Sequence, residues 1–383
     1  MTSAPFDSAP EIMGAWTPGF DGVVDAFRSN FAGGSELGAG LAVMRRGETL
    51  VNIWAGVSDP SSGRLWDADT LTPVFSTGKA VIAALAALAV DDGAFAYEDL
   101  VAKHWPEFAA NGKGEVTIGQ LLSHQAGLAG FDDAIDRADW LSWETIAGRL
   151  AAAAPLWPPG SASGYHPQTF GYLAGEIYRR TTGRSLGDAL RSDKFASLAG
   201  EIWFGLDGAA NERIASMTKP PKAPDLGPIT DIRRAAFLRP WSSPGKPGDP
   251  NWRKAEIPAS NGHATAAGLA DLLGLFAWGG AAGGLIQLSD ETRRDAMAER
   301  IRGDDLVLPL HISWAAGLIR NSDLGLYGPN PEAVGHSGWG GSCAFADPGA
   351  GLNFAYATNK MSEHLVGDPR ALRLIEATYA ALT

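Results

Sequence analysis

Along the first part of the chain the apolar positions change their period twice. Val23, Val24, Phe27 and Phe31 fall at helical spacing and predict an amphipathic helix over residues 19–31, behind an irregular lead over residues 1–18. Two extended apolar runs, residues 40–44 and 50–57, flank Arg45-Arg46-Gly47-Glu48 and predict an antiparallel hairpin with a short glycine-containing turn. A turn-rich segment (58–63) follows, and an extended entry at 71–75 then meets an alanine-rich helix that continues to about Val90. From residue 91 to about 258, helical patterns at 118–123, 143–153, 170–181 and 185–190 alternate with loops rich in Gly, Pro and Trp. Residues 219–258 hold many prolines and read as a long surface excursion of the kind that forms lids or pocket walls. A helical stretch at 264–277 leads back to strands at 313–319, 334–338, 342–347 and 352–358, then to a terminal helix at 369–382.

Strands at both ends with helices between them predict an α/β (α+β) fold: an antiparallel sheet built from both chain ends and flanked by helices, with an inserted, mostly helical part. The expected division is residues 1–90 with 264–383 for the sheet domain, and 91–263 for the helical domain. The cleft between such layers is where a site is expected.

Composition narrows the function. The apolar content of 45% and charged content of 19% describe a packed globular chain. A formal charge of −12 argues against a nucleic-acid surface and offers nothing to anionic membranes, so a near-neutral small molecule is the expected partner. Cys343 is the only cysteine, which excludes an intrachain disulfide and a cysteine-based zinc site. With no basic leader before an apolar core and no membrane-length apolar run, the expected location is cytoplasmic.

The candidate chemistry starts at Ser76-Thr77-Gly78-Lys79. Ser and Thr favour helix N-termini, where free N–H groups and the helix dipole stabilise developing negative charge. Lys79 lies three residues on, on the same helical face as Ser76. Apolar neighbours would desolvate its ammonium and lower its pKa toward that of a usable base. S-x-x-K is a weak signal, expected about once by chance in a chain of this length. Three copies occur, at Ser76/Lys79, Ser216/Lys219 and Ser243/Lys246. Prolines after Lys219 and inside the third copy leave only the first with a strand-to-helix setting. The bland alternative is a capped core helix carrying a surface lysine.

Three further segments bear on this. His124, at the end of the 118–123 helix, reads as a structural hydrogen-bonder rather than a catalyst. The Trp157–Pro167 turn presents Tyr165, whose phenolate would be stabilised beside a lysine ammonium and could serve as a general base. In Val334-Gly335-His336-Ser337-Gly338-Trp339-Gly340-Gly341-Ser342, the glycines allow a strand to approach a ligand and donate N–H groups to an oxyanion. Gly335-His336-Ser337-Gly338 superficially suggests a nucleophile elbow, but the fifth position is Trp339 and more strand follows, so Ser337 is rejected as nucleophile.

Together these segments resemble the serine hydrolases related to class C β-lactamases, especially the family VIII carboxylesterases, over nearly the whole chain. The resemblance rests on Ser76-Thr77-Gly78-Lys79, Leu121-Leu122-Ser123-His124-Gln125-Ala126-Gly127-Leu128, Tyr165 ahead of its helix, and His336-Ser337-Gly338. It implies a β-lactamase/DD-peptidase-like fold, Ser76 as nucleophile, and Lys79 and Tyr165 sharing the base role. It also implies an oxyanion hole from the N–H groups of Ser76 and Trp339, with no metal or cofactor. If the register follows Trp339-Gly340-Gly341, Ser342 replaces Trp339 as second donor. Two departures are informative. Pro167 stands where the lactamases have asparagine, and His336-Ser337-Gly338 where they have Lys-Thr-Gly; a neutral histidine meets a carboxylate poorly. The expected activity is hydrolysis of small, mostly apolar esters through an acyl-enzyme. Its rivals are β-lactam or D-amino-acid amide hydrolysis, lactone opening, acyl transfer, and silent ligand binding.

Overall fold

The structure, a computed structural model, describes residues 9–198 and 201–383. Nine strands form one antiparallel sheet: β1 Met13–Trp16, β2 Gly38–Arg45, β3 Glu48–Asp59, β4 Ile301–Asp304, β5 His311–Trp314, β6 Ile319–Arg320, β7 Val334–Ser337, β8 Cys343–Asp347 and β9 Leu352–Thr358. Their order is β1-β3-β2-β9-β8-β7-β6-β5-β4, and the pair Arg64–Leu65 adds to β3. The fold is therefore mixed α/β, with a large antiparallel sheet flanked by helices and drawn from both ends of the chain.

The side-chain sizes in the central strands explain the layering. Leu41 and Val43 of β2, Phe345 of β8, and Leu352, Phe354 and Tyr356 of β9 point to one core, beneath the helices Asp21–Phe31 and Pro369–Ala381. Alternate positions carry Ala42, Ala344, Ala346, Ala355 and Ala357, which face the other core. There the helix Ala266–Ala277 approaches closely because most of the strand side chains facing it are single methyl groups, with Asn353 donating to its Ala270 carbonyl, and the helix Gly78–Asp91 packs beside it. Both faces are covered, so these strands read as continuous apolar runs. Burying each large side chain contributes about 1.5–3 kcal/mol. Enlarging Ala355 would overpack the helix-facing side.

The predicted hairpin forms, with Arg46 and Gly47 both at positive φ (50° and 84°), as a two-residue turn matched to strand twist requires. Two expectations need correction. Within the supposed irregular lead, residues 13–16 form β1, an edge strand whose side chains are all exposed and so show no burial pattern; residues 1–8 lie outside the described residues. The strand expected at 313–319 is instead the ends of two strands. Ala315 N–H bonds to Leu318 O and Gly317 has φ +81°, so the chain reverses between β5 and β6. The segment at 219–258 contains only short helical pieces, Asp231–Arg233, Arg234–Leu238 and Pro250–Lys254. No described helix is long and apolar enough to cross a membrane.

Candidate active site

Ser76 sits in a single tight turn, Phe75–Thr77, between the short strand Thr72–Pro73 and the helix Gly78–Asp91. Phe75 enters the turn at φ +47°, a left-handed conformation uncommon for a bulky residue. Neither Ser76 nor Thr77 caps the helix through its side chain, contrary to the capping expectation. Thr77 Oγ1 instead lies 3.0 Å from Ser342 Oγ, and Ser76 lines the cleft. Residues 78–89 of the helix are buried all round, so the lysine on it is buried too.

Lys79 Nζ is 3.1 Å from Ser76 Oγ, 2.9 Å from Pro167 O and 3.1 Å from Ala259 O. The two carbonyls can only accept, so each fixes one N–H of the lysine. The remaining tetrahedral direction faces Ser76. It holds a third N–H in the ammonium and a lone pair in the free amine. Burial drives the Lys79 pKa well below its usual value, which favours the amine. This geometry aims the basic lone pair at the serine hydroxyl.

Tyr165 donates its hydroxyl to Ser76 Oγ at 2.5 Å. Its placement is determined from behind. Asp305 Oδ1 accepts from Tyr165 N at 2.8 Å, and Asp305 Oδ2 from Trp314 Nε1 at 3.2 Å. The Trp314 and Tyr165 rings lie within 5° of parallel, 5.9 Å apart. His124 abuts the edges of both rings and accepts the His166 N–H through Nδ1. Burial pushes the Tyr165 phenol above its usual range, an effect that its bond to Ser76 opposes. The side chain is therefore a phenol at neutral pH. Burial also keeps His124 neutral.

Opposite the serine turn, β7 ends in His336 and Ser337. Gly338 is packed so tightly that a Cβ there would stand 2.2 Å from Val74 O. Gly340 and Gly341 turn the chain at φ +104° and +117°, conformations that side chains rarely adopt. His336, Ser337 and Trp339 line the cleft with Ser76 and Tyr165, whereas Gly338, Gly340, Gly341 and Ser342 lie behind it. The Ser342 hydroxyl donates to Val74 O at 2.9 Å and fastens the serine turn to the sheet. The N–H groups of Ser76 and Trp339 have no hydrogen-bond partner among the described residues. His336 is held neutral, its pKa lowered to about 3 chiefly by burial.

The cleft encloses about 260 Å³. Phe75, Pro224, Leu226, Phe237, Leu238 and Trp339 are among its walls, and no lining side chain carries a formal charge. The proline-rich 219–258 segment supplies one of those walls. Of the competing serines, Ser216 Oγ bonds to Asp59 and Ser243 Oγ to Gly245 O. The sequence reading missed Asp305 and Trp314, and it missed the carbonyls of Pro167 and Ala259, which have no side-chain signature. Among the described residues no group of His, Cys, Asp and Glu is arranged to hold a metal ion.

The same fold and family are found among known proteins. The family model described as Beta-lactamase matches residues 24–378. The esterase/beta-lactamase LipL of Mycobacterium tuberculosis (strain ATCC 25618 / H37Rv) is 34% identical over 94% of this chain and 86% of its own length. A penicillin-binding protein homologue from Caulobacter crescentus superposes with a TM-score of 0.93 at 51% identity, over 97% of this chain and all of its own. A family VIII carboxylesterase superposes at 0.91 with 39% identity, over 97% of this chain and 100% of its own.

Proposed function

The chain belongs to the beta-lactamase family, and from that premise we propose that it is a serine carboxylesterase acting on small, mostly apolar acyl esters through a Ser76 acyl-enzyme. One observation carries the reading: Lys79 Nζ and the Tyr165 hydroxyl converge on Ser76 Oγ beside a cleft with no charged side chain in its lining. The esterase-named relatives support it.

In this reading the Lys79 amine takes the Ser76 proton as Oγ attacks the ester carbonyl carbon, and the carbonyl electron pair moves onto oxygen. The oxyanion is received by the N–H groups of Ser76 and Trp339. We prefer Trp339 to Ser342 because Trp339 is at the cleft wall, while Ser342 is tied to Val74 O and Thr77. Collapse breaks the bond to the alcohol, which leaves with the Tyr165 proton; the water that enters in place of the alcohol accepts the proton held on Lys79 and gives one to the Tyr165 oxygen, restoring amine and phenol. Water then repeats the sequence on the acyl-enzyme. We assign residues 1–90 with 264–383 and residues 91–263 to the two domains that flank the site. The cytoplasm is the proposed location.

The test is a short-chain p-nitrophenyl ester with intact-mass detection of the acylated chain. Wild-type protein is expected to show a burst and an acyl adduct on Ser76, and Ser76→Ala neither. Undiminished turnover by Ser76→Ala would overturn the reading.

A further inference from the structure

A buried ionic cluster lies behind the Trp339-Gly340-Gly341 turn, outside the machinery described so far. Arg370, in the first turn of the terminal helix, is about 5% exposed and lies between two buried carboxylates. Its Nη1 is 3.0 Å from Glu36 Oε2, and its Nη2 is 2.8 Å from Asp368 Oδ2. Tyr356 and Thr358 of β9 hold Glu36 in place, and Ser362 Oγ donates to Asp368 at 2.6 Å. A cluster in which two acids share one guanidinium is costly to bury, and a hydrophobic replacement would often be as stable.

While Nη1 also donates to Ser35 O and Lys360 O, one donor of the cluster points toward the active site. Arg370 Nη2 donates to the Gly340 carbonyl at 2.9 Å, and the Ser362 N–H reaches the same oxygen at 3.2 Å. The next residue is pressed against the cluster, since a Cβ on Gly341 would stand 2.4 Å from Arg370 Nη2. With Gly341 so held, its N–H donates to Gly338 O at 3.1 Å. Gly338 O belongs to the peptide that also carries the Trp339 N–H, and no described peptide is cis. In a trans peptide the C=O and N–H point in opposite directions. Anchoring Gly338 O on the Gly341 side therefore turns the Trp339 N–H away from it, unpaired.

We propose that Arg370 is a positioning residue for the oxyanion site: by holding the Gly340 carbonyl it fixes the peptide plane that presents the Trp339 N–H. This rests on the assignment of that N–H as an oxyanion donor. Preorganised donors matter because their orientation is settled before charge develops. Nothing in the cluster touches the substrate, so its influence is on the chemical step and not on binding.

Three variants test it. Arg370→Lys keeps the charge but loses the fork that spans both acids and Gly340 O. Glu36→Gln/Arg370→Met removes one charge of each sign and leaves Asp368 bonded to Ser362 and the Arg370-position N–H. Gly341→Ala leaves every charge in place and displaces the turn. Each is measured for thermal stability, burst-titrated active sites, single-turnover acylation by p-nitrophenyl acetate, and the rate of Ser76 phosphonylation by a p-nitrophenyl phosphonate. The expected result is an acylation rate per titrated site about tenfold or more below wild type, with the ester concentration that half-saturates single-turnover acylation within about twofold and phosphonylation slowed by a similar factor; loss of one direct donor costs about 10²–10³. Acylation per titrated site within about twofold of wild type, whatever the change in stability, would overturn the proposal and make the cluster purely structural. An effect confined to the half-saturating ester concentration of single-turnover acylation would overturn it as well. Ser76→Ala run in parallel separates the two ideas: if that variant still turns over ester, the acyl-enzyme reading fails first, independently of Arg370.

Discussion

Lys79 Nζ lies 4.7 Å from the centre of the Tyr165 ring, over its face, while both residues reach Ser76 Oγ from different sides. The two therefore communicate through the serine and not by a direct hydrogen bond between them. The lysine is suited to remove the serine proton, and the phenol to supply one to the departing alcohol. Lys79→Ala is expected to lower kcat by about two orders of magnitude or more on every ester. Tyr165→Phe should depend on the leaving group: a loss of that size on an alkyl ester, whose alkoxide needs a proton, and a smaller one on a p-nitrophenyl ester. The double variant should lose less than the product of the singles. Equal Tyr165→Phe losses on both ester classes would remove the proton-donor role.

The same lysine should show itself in stability. Burial holds its folded-state pKa well below the usual 10.5. Between those two values the unfolded chain carries one more proton at this position than the folded chain. The stability linked to Lys79 is therefore complete above about pH 10.5 and declines as pH falls through the window. Lys79→Met removes this dependence. It also leaves the Pro167 and Ala259 carbonyls without their donor, but that cost does not vary with pH. Urea midpoints at several pH values between about 7 and 10 should show wild type losing ground to Lys79→Met as pH falls. Parallel curves would mean that the folded protein keeps the ammonium.

Asp305 accepts four hydrogen bonds in the interior: Oδ1 from the N–H groups of Tyr165, Val307 and Leu308, and Oδ2 from Trp314. Asp305→Ala strands all four donors, and at about 1–3 kcal/mol for each unsatisfied group a loss of at least ~4 kcal/mol is expected, with a reduced kcat. Asp305→Asn retains one oxygen but turns an NH₂ group toward the indole N–H, so it should destabilise less. Denaturant melts of the two variants check the order. An alanine variant as stable as wild type would show that water replaces the carboxylate.

Much of this site was legible because it consists of side chains in unusual company. A lysine on a helix with no other polar face stands out, and so does a glycine series after a strand. Strand β9 was readable at both ends because each of its faces meets a core. What escaped notice has no such contrast. The carbonyls of Pro167 and Ala259 look like any backbone. Asp305 is an ordinary acid in sequence, and its partner Tyr165 is 140 residues away. Edge strand β1 buries nothing and so imposes no alternation. The choice between Trp339 and Ser342 depended on which side of one turn faces the cleft, and spacing does not encode that.

Substrate choice follows from His336. It lines the cleft at the position where the lactamases carry a lysine, and with its pKa lowered to about 3 it is neutral throughout the working range. Its Nδ1 faces the Ser337 carbonyl at 2.9 Å and so bears the proton, which leaves Nε2 as an acceptor with no partner among the described residues. An acceptor in that place repels a carboxylate where a lysine would bind it. Pro167, moreover, supplies no amide for the side chain of a penicillin or cephalosporin, and its carbonyl is already committed to Lys79. Forgone charged hydrogen bonds should cost a β-lactam a few kcal/mol in the transition state. A small neutral ester needs only the oxyanion donors and an apolar wall. The ratio of kcat/KM for a short-chain p-nitrophenyl ester to that for nitrocefin is therefore expected to be at least about 100, equivalent to ~2.7 kcal/mol. His336→Lys should narrow it, chiefly by improving nitrocefin. If the unmodified enzyme handles nitrocefin as efficiently as the ester, the neutral-substrate reading fails and β-lactam hydrolysis takes its place.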